Sequence, residues 1–119
     1  MLTSFDKELL LNAQRALLGE IPPSLRAASF DLSSDGQDWV ARFEFDGNPS
    51  EEALECVSVA LTNLFTSYPY NWKPRTYKEE MLAIPYPQKL QRLRLAAFLR
   101  NEDEWNSWTK VFDKIRKAT

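Results

Sequence analysis

Apolar positions along this chain recur in two periods, and the changes of period divide it into helical and extended segments. Phe5, Leu9, Leu10, Ala13 and Leu17 fall at helical intervals, with Thr3 or Ser4 placed to cap the first turn. Gly19 ends that helix, because glycine tolerates the left-handed backbone that follows a last turn. Pro22 and Pro23 block a restart: each lacks an N–H and biases its predecessor to an extended backbone. A strand is therefore predicted over Leu25–Leu32, with Ala28, Phe30 and Leu32 on one side. Ser33 to Gly36 reads as a hairpin turn. The partner strand, Trp39–Asp46, alternates strictly. Trp39, Ala41, Phe43 and Phe45 are expected in the core, and Val40, Arg42, Glu44 and Asp46 on a solvated face.

The helical period returns after Gly47. Asn48 is the expected N-cap, with Pro49 at the first helical position and Glu51 completing a capping box. Leu54, Val57, Leu61 and Leu64 form the expected buried stripe. Ser67–Arg75, with its prolines and aromatics, reads as a loop. Thr76–Ile84 and Arg92–Arg100 read as strands joined through Pro85–Gln91, a second antiparallel hairpin. Asn101 or Asp103 is placed to cap a last helix carrying Trp105, Trp108, Phe112 and Ile115 on one side. The resulting order, αββαββα, predicts one α+β domain over residues 1–119, with a four-stranded, largely antiparallel sheet and helices mainly on one face.

Composition narrows the chemistry. A chain of 119 residues is long enough to bury about 65% of its unfolded surface without staples. It has no histidine and one cysteine, Cys56, which excludes a Cys/His zinc site, an intramolecular disulfide and the histidine-based catalytic relays. Cys56, beside the apolar stripe of the second helix, reads as a packed thiol. The three glycines are isolated, so no phosphate-cradling loop is present, and no cofactor is expected. Glu79 and Glu80 are adjacent in a strand and point to opposite faces; Arg92, Arg94 and Arg100 are their expected ion-pair partners. Neither a signal segment nor a membrane span is legible, so a cytosolic location without membrane contact is expected.

Charge is uneven although the formal net charge is only −2. Between Asp31 and Glu55 lie Asp31, Asp35, Asp38, Glu44, Asp46, Glu51, Glu52 and Glu55 against a single cation, Arg42, whereas Lys89 to Lys117 is rich in bases. Such an acidic sector steers a basic protein partner. Asp35, Asp38, Glu44, Asp46, Glu51, Glu52 and Glu55 are accordingly the candidate partner-facing acids, with Tyr70 and Trp72 of the aromatic loop as candidate anchors. The net charge argues against a generic nucleic-acid binder.

Three stretches carry a resemblance: Ala13 to Gly19, Pro23 to Arg26, and Phe45 to Glu52. With them, Leu9 to Arg100 resembles the immunity proteins of bacterial contact-dependent growth inhibition systems, the CdiI type; the Trp-rich tail from Asn101 lies outside the resemblance. The resemblance implies a protein without enzymatic activity or cofactor that sits in the cytosol and occludes the active site of a cognate toxin domain. Many such toxins are nucleases with basic clefts. Two other classes remain open on the residues alone. One is a small RNA- or protein-binding module using sheet aromatics and arginines; the other is a small enzyme working through carboxylates.

Overall fold

The computed structural model describes residues 1–102, and the expected C-terminal helix with Trp105 and Trp108 lies outside the described residues. Helix α1 (Ser4–Leu17) starts at Thr3, whose hydroxyl accepts from the Asp6 N–H at 3.1 Å while the Asp6 carboxylate accepts from the Thr3 N–H at 2.9 Å. This reciprocal box satisfies two orphan donors of the first turn. Gly19 adopts φ +79° just past the helix end, as its position in the sequence requires.

Strands β1 (Leu25–Leu32) and β2 (Asp38–Phe45) form the expected antiparallel hairpin, with Phe30 opposite Ala41 and Ala28 opposite Phe43. Helix α2 (Glu51–Thr66) follows, then β3 (Thr76–Ala83) and the short β4 (Leu95–Leu99). The N-cap of α2 is Ser50, whose hydroxyl accepts from the Ala53 N–H at 3.1 Å. Asn48 and Pro49 therefore precede the cap, and Glu51 and Glu52 open the first turn, where their charge complements the helix dipole. The buried stripe is Ala53, Val57, Ala60, Leu61 and Leu64, and Leu54, expected in it, is 37% exposed because the small Ala53 and Ala60 take the face turned to the core.

The sheet order is β3-β2-β1-β4. β2 and β3 run parallel, in register from Asp38/Thr76 to Phe45/Ala83, so α2 is a crossover connection between neighbours. β4 pairs antiparallel with β1 on the other side. The sheet is thus mixed rather than largely antiparallel. The expected second hairpin does not form, because β3 and β4 occupy opposite edges.

One face of the sheet is apolar and covered by the helices. Ala28, Phe30, Leu32, Trp39, Ala41, Phe43 and Phe45 form one core with Leu9, Ala13 and Leu17 of α1 and Val57, Leu61 and Leu64 of α2. By strand alternation, Ser29, Arg42 and Glu44 point to the opposite face. Because β3 and β4 are two strands apart, the segment joining them must cross that second face.

Candidate functional site

The crossing segment, residues 84–94, is fastened by polar side chains of the two central strands. The Ile84 N–H donates to the Phe45 carbonyl at 2.8 Å, and the Tyr86 N–H to Asp46 at 2.9 Å. Arg26 Nη1 donates to the carbonyls of Ile84 at 2.7 Å and Gln88 at 2.8 Å. The Gln91 N–H donates to the Glu44 carboxylate, Arg42 donates to the Gln91 carbonyl, and the Leu93 N–H donates to Ser29 Oγ at 2.9 Å. The strap is thereby bonded to both central strands along its length, to β1 through Arg26 and Ser29 and to β2 through Phe45, Glu44 and Arg42, before it enters β4.

This strap overturns the expectation that Glu44 lies on a solvated face. Glu44 is 0% exposed; one carboxylate oxygen receives the Gln91 N–H and the other has no hydrogen-bond partner among the described residues. Strand alternation assigned it to the correct face, but a neighbouring segment covers that face. Arg26 and Ser29 are buried by the same strap. Beside it, a cavity of about 570 Å³ is lined by Arg26, Tyr86, Lys89, Arg92, Arg100 and Glu102, among other residues.

The remaining acids of the sector divide into two groups. Asp31 accepts from Arg94 Nε at 3.0 Å. Asp35 accepts from Ser33 Oγ at 2.6 Å and the Gln37 N–H at 3.1 Å; those bonds, with Arg75 nearby, hold its carboxyl below the usual range. Asp38 accepts from Arg75 Nε at 3.0 Å and from Thr76 Oγ1 at 2.9 Å, which lowers its pKa to about 2. Asp46 accepts from the Tyr86 N–H and from Arg100 Nη2 at 3.0 Å, and both depress its pKa. Glu51, Glu52 and Glu55, in contrast, share one exposed face of the first turns of α2 and meet no cation among the described residues.

Arginines assigned to a second hairpin serve elsewhere. Arg94 reaches Asp6 of α1 with two bonds, at 2.8 and 3.0 Å, besides Asp31 and the Leu32 carbonyl at 3.2 Å. Asp6 is only 1% exposed, and hydrogen bonding from Arg94 holds its pKa at about 2. Arg100 pairs with Asp46 and Glu102, while Glu80 pairs with Arg42 and Lys78. Glu79 accepts from the Tyr77 hydroxyl at 3.1 Å, and burial together with the Glu79 charge pushes the Tyr77 pKa up.

The aromatic loop separates its two candidate anchors. Trp72 is half-buried, stacked on Tyr68 with centroids 4.5 Å apart and lying 5.5 Å from Trp39. Tyr70 is 94% exposed, at the tip of a turn that Asn71 permits by adopting φ 69° and that the Trp72 N–H closes onto the Pro69 carbonyl at 2.9 Å. Tyr70 lies beyond the C-terminal end of α2, a helix of 16 residues about 24 Å long, whereas the acids occupy its first turns at the other end. Only an interface running the length of α2 engages both.

Among the described residues no group of His, Cys, Asp and Glu is placed to hold a metal, and no helix is long and apolar enough to cross a membrane. Cys56 is a free, partly buried thiol. The sheet aromatics Phe30, Trp39 and Phe43 are buried beneath the helices, so they form no open stacking platform of the kind an RNA-binding sheet uses.

A small α+β scaffold in which most aspartates are tied to arginines, and in which three carboxylates without a described cation, Glu51, Glu52 and Glu55, stand together on one helix, has the make-up of a binding protein. The family model of the MafI2 immunity proteins matches residues 6–102, most of the chain and nearly all of the described fold. The chain belongs to that family. The class expected from the resemblance, an immunity protein, is therefore correct, and the family is MafI2. No curated protein matches the chain.

Proposed function

We propose that this protein binds and neutralises a cognate toxin domain in the cytosol of the producing cell, through non-covalent occlusion rather than catalysis. The observation that carries the reading is the family match across residues 6–102, which takes in all four strands, α2 and α1 from its third residue on. Glu51, Glu52 and Glu55 are the first contacts, because their charge is not matched by a described cation. Asp35, Asp38 and Asp46 lie at the surface but already face Arg75 or Arg100, so they contribute less net potential. Trp72 supports Tyr70, which reaches the partner from the other end of α2.

The toxin proposed is a nuclease with a basic cleft, delivered in contact-dependent growth inhibition. Exposed carboxylates on a rigid helix stand in for the phosphates such a cleft recognises and accelerate encounter with it. The test is to express the chain with the toxin domain encoded beside it, score survival, and measure binding of the purified pair by calorimetry. Survival with a 1:1 complex is the expected result; lack of both protection and binding rejects the reading.

A further inference from the structure

We infer that the outer edge of β3 accepts an extended segment of the toxin domain as a fifth strand, an assignment that rests on the function proposed above. β3 is an edge strand of eight residues, Thr76–Ala83, hydrogen-bonded on one side only, to β2. The parity of its backbone follows from its ends. The Thr76 N–H donates inward to the Gln37 carbonyl at 3.3 Å, and the Ile84 N–H donates inward to the Phe45 carbonyl at 2.8 Å.

Even-numbered residues of β3 thus direct their backbone groups at β2, and Tyr77, Glu79, Met81 and Ala83 direct theirs outward. No described backbone group pairs with those four outward N–H groups. A row of unpaired donors and acceptors of this length is a template for another strand. The opposite edge offers less: β4 has only five residues, and α1 packs beside it.

Charge selects the occupant. Pairing β3 with a second copy of itself, antiparallel about a two-fold axis between residues 79 and 80, sets Glu79 against Glu80 twice, and an axis at residue 79 sets Glu79, which meets no described cation, against Glu79, although Lys78 then faces Glu80. Like charges directly opposite each other oppose pairing. A different strand, with Lys or Arg opposite Glu79, meets no such penalty, and a basic toxin surface supplies one. The β3 edge also runs between the two candidate contact regions. Its first residues lie under the end of α2 that leads to Tyr70, where Phe65 packs on Tyr77 with centroids 5.1 Å apart. Its last residues pair with Glu44 and Phe45, close in sequence to the start of α2. A strand added here spans about 26 Å and joins both regions in one interface.

Amide hydrogen exchange on the full chain, alone and with the toxin domain encoded beside it, tests the assignment. The Tyr77, Glu79, Met81 and Ala83 amides are expected to exchange fast in the free chain and to slow at least tenfold in the complex. Glu79→Pro removes an outward N–H together with the carboxylate that accepts from the Tyr77 hydroxyl. Glu79→Gln, which keeps the N–H, is the control, and the proline is expected to weaken toxin binding about tenfold or more beyond the glutamine while the melting temperatures of both stay close to that of the parent. Complex formation with these amides still fast overturns the inference and leaves the proposed function standing. So does a free chain that sediments as a dimer with the same amides protected, which gives the edge to a second copy. If Glu79→Pro does not fold, exchange on the parent chain decides alone. Absence of any complex rejects the proposed function and this inference with it.

Discussion

Two sets of carboxylates that are neighbours in the sequence have opposite fates in the fold. Asp31, Asp35, Asp38 and Asp46 are each held by an arginine, from Arg75, Arg94 or Arg100, and Asp6 joins them through Arg94. Glu51, Glu52 and Glu55 stand on one helix face with no described cation beside them. The first set fastens strands, strap and helix together; the second leaves its charge available to a partner. Net charge along a stretch of sequence therefore overstates how much of that charge is free to steer anything.

The largest effect that tests this division comes from Arg26, which is buried and bonds Glu102, Ile84 and Gln88 at once. Arg26→Ala leaves the Ile84 and Gln88 carbonyls without this donor and Glu102 with Arg100 alone, and is expected to cost about 3–4 kcal/mol in denaturant unfolding. Arg94→Ala is expected to cost about 2–3 kcal/mol, less because Arg94 is partly exposed while Asp6 is not. This ion pair also sets a pH dependence. Arg94 lowers the Asp6 pKa from 3.8 to about 2, so its stabilisation is present above about pH 4 and is lost as pH falls through 2. Unfolding curves between pH 6 and pH 2 check the sign: the gap between parent and Arg94→Ala narrows toward the acid end.

Ser29→Ala sharpens the comparison from the strap side. Its hydroxyl is the acceptor for the Leu93 N–H, so its loss leaves that donor unpaired at a cost of about 1–2 kcal/mol. A serine on an open sheet face has a far smaller effect, within about 0.5 kcal/mol. Equilibrium unfolding in urea separates the two cases.

These interactions also mark where the sequence stops being readable. Local order was legible: both helices, the first hairpin and the core face of β2 follow from periodicity and from the placement of Gly19, Pro22 and Gly36. Strand order was not, because β3 and β4 carry the same local pattern whether they pair with each other or flank the β1–β2 hairpin. What was missed on the polar face of the sheet descends from that one choice. Sending β3 and β4 to opposite edges forces residues 84–94 across the polar face, which buries Glu44, Ser29 and Arg26 and redirects Arg94 and Arg100 to aspartates. The polar residues on the inner strands were the available signal. Arg26, Ser29, Arg42 and Glu44 are an expensive set to place centrally in a sheet unless something covers and satisfies them.

The α2 acids have the smallest expected effect on stability and act instead on association. Neutralising Glu51, Glu52 and Glu55 together to Gln removes favourable helix-dipole contacts worth about 1 kcal/mol in all. Stopped-flow association of this triple variant with the toxin domain is the most direct test of the claim that these are the partner-facing charges. The account predicts an on-rate lowered by on the order of tenfold at low salt, with little change in melting temperature. An association rate and affinity equal to those of the parent would contradict it and place the toxin on another face.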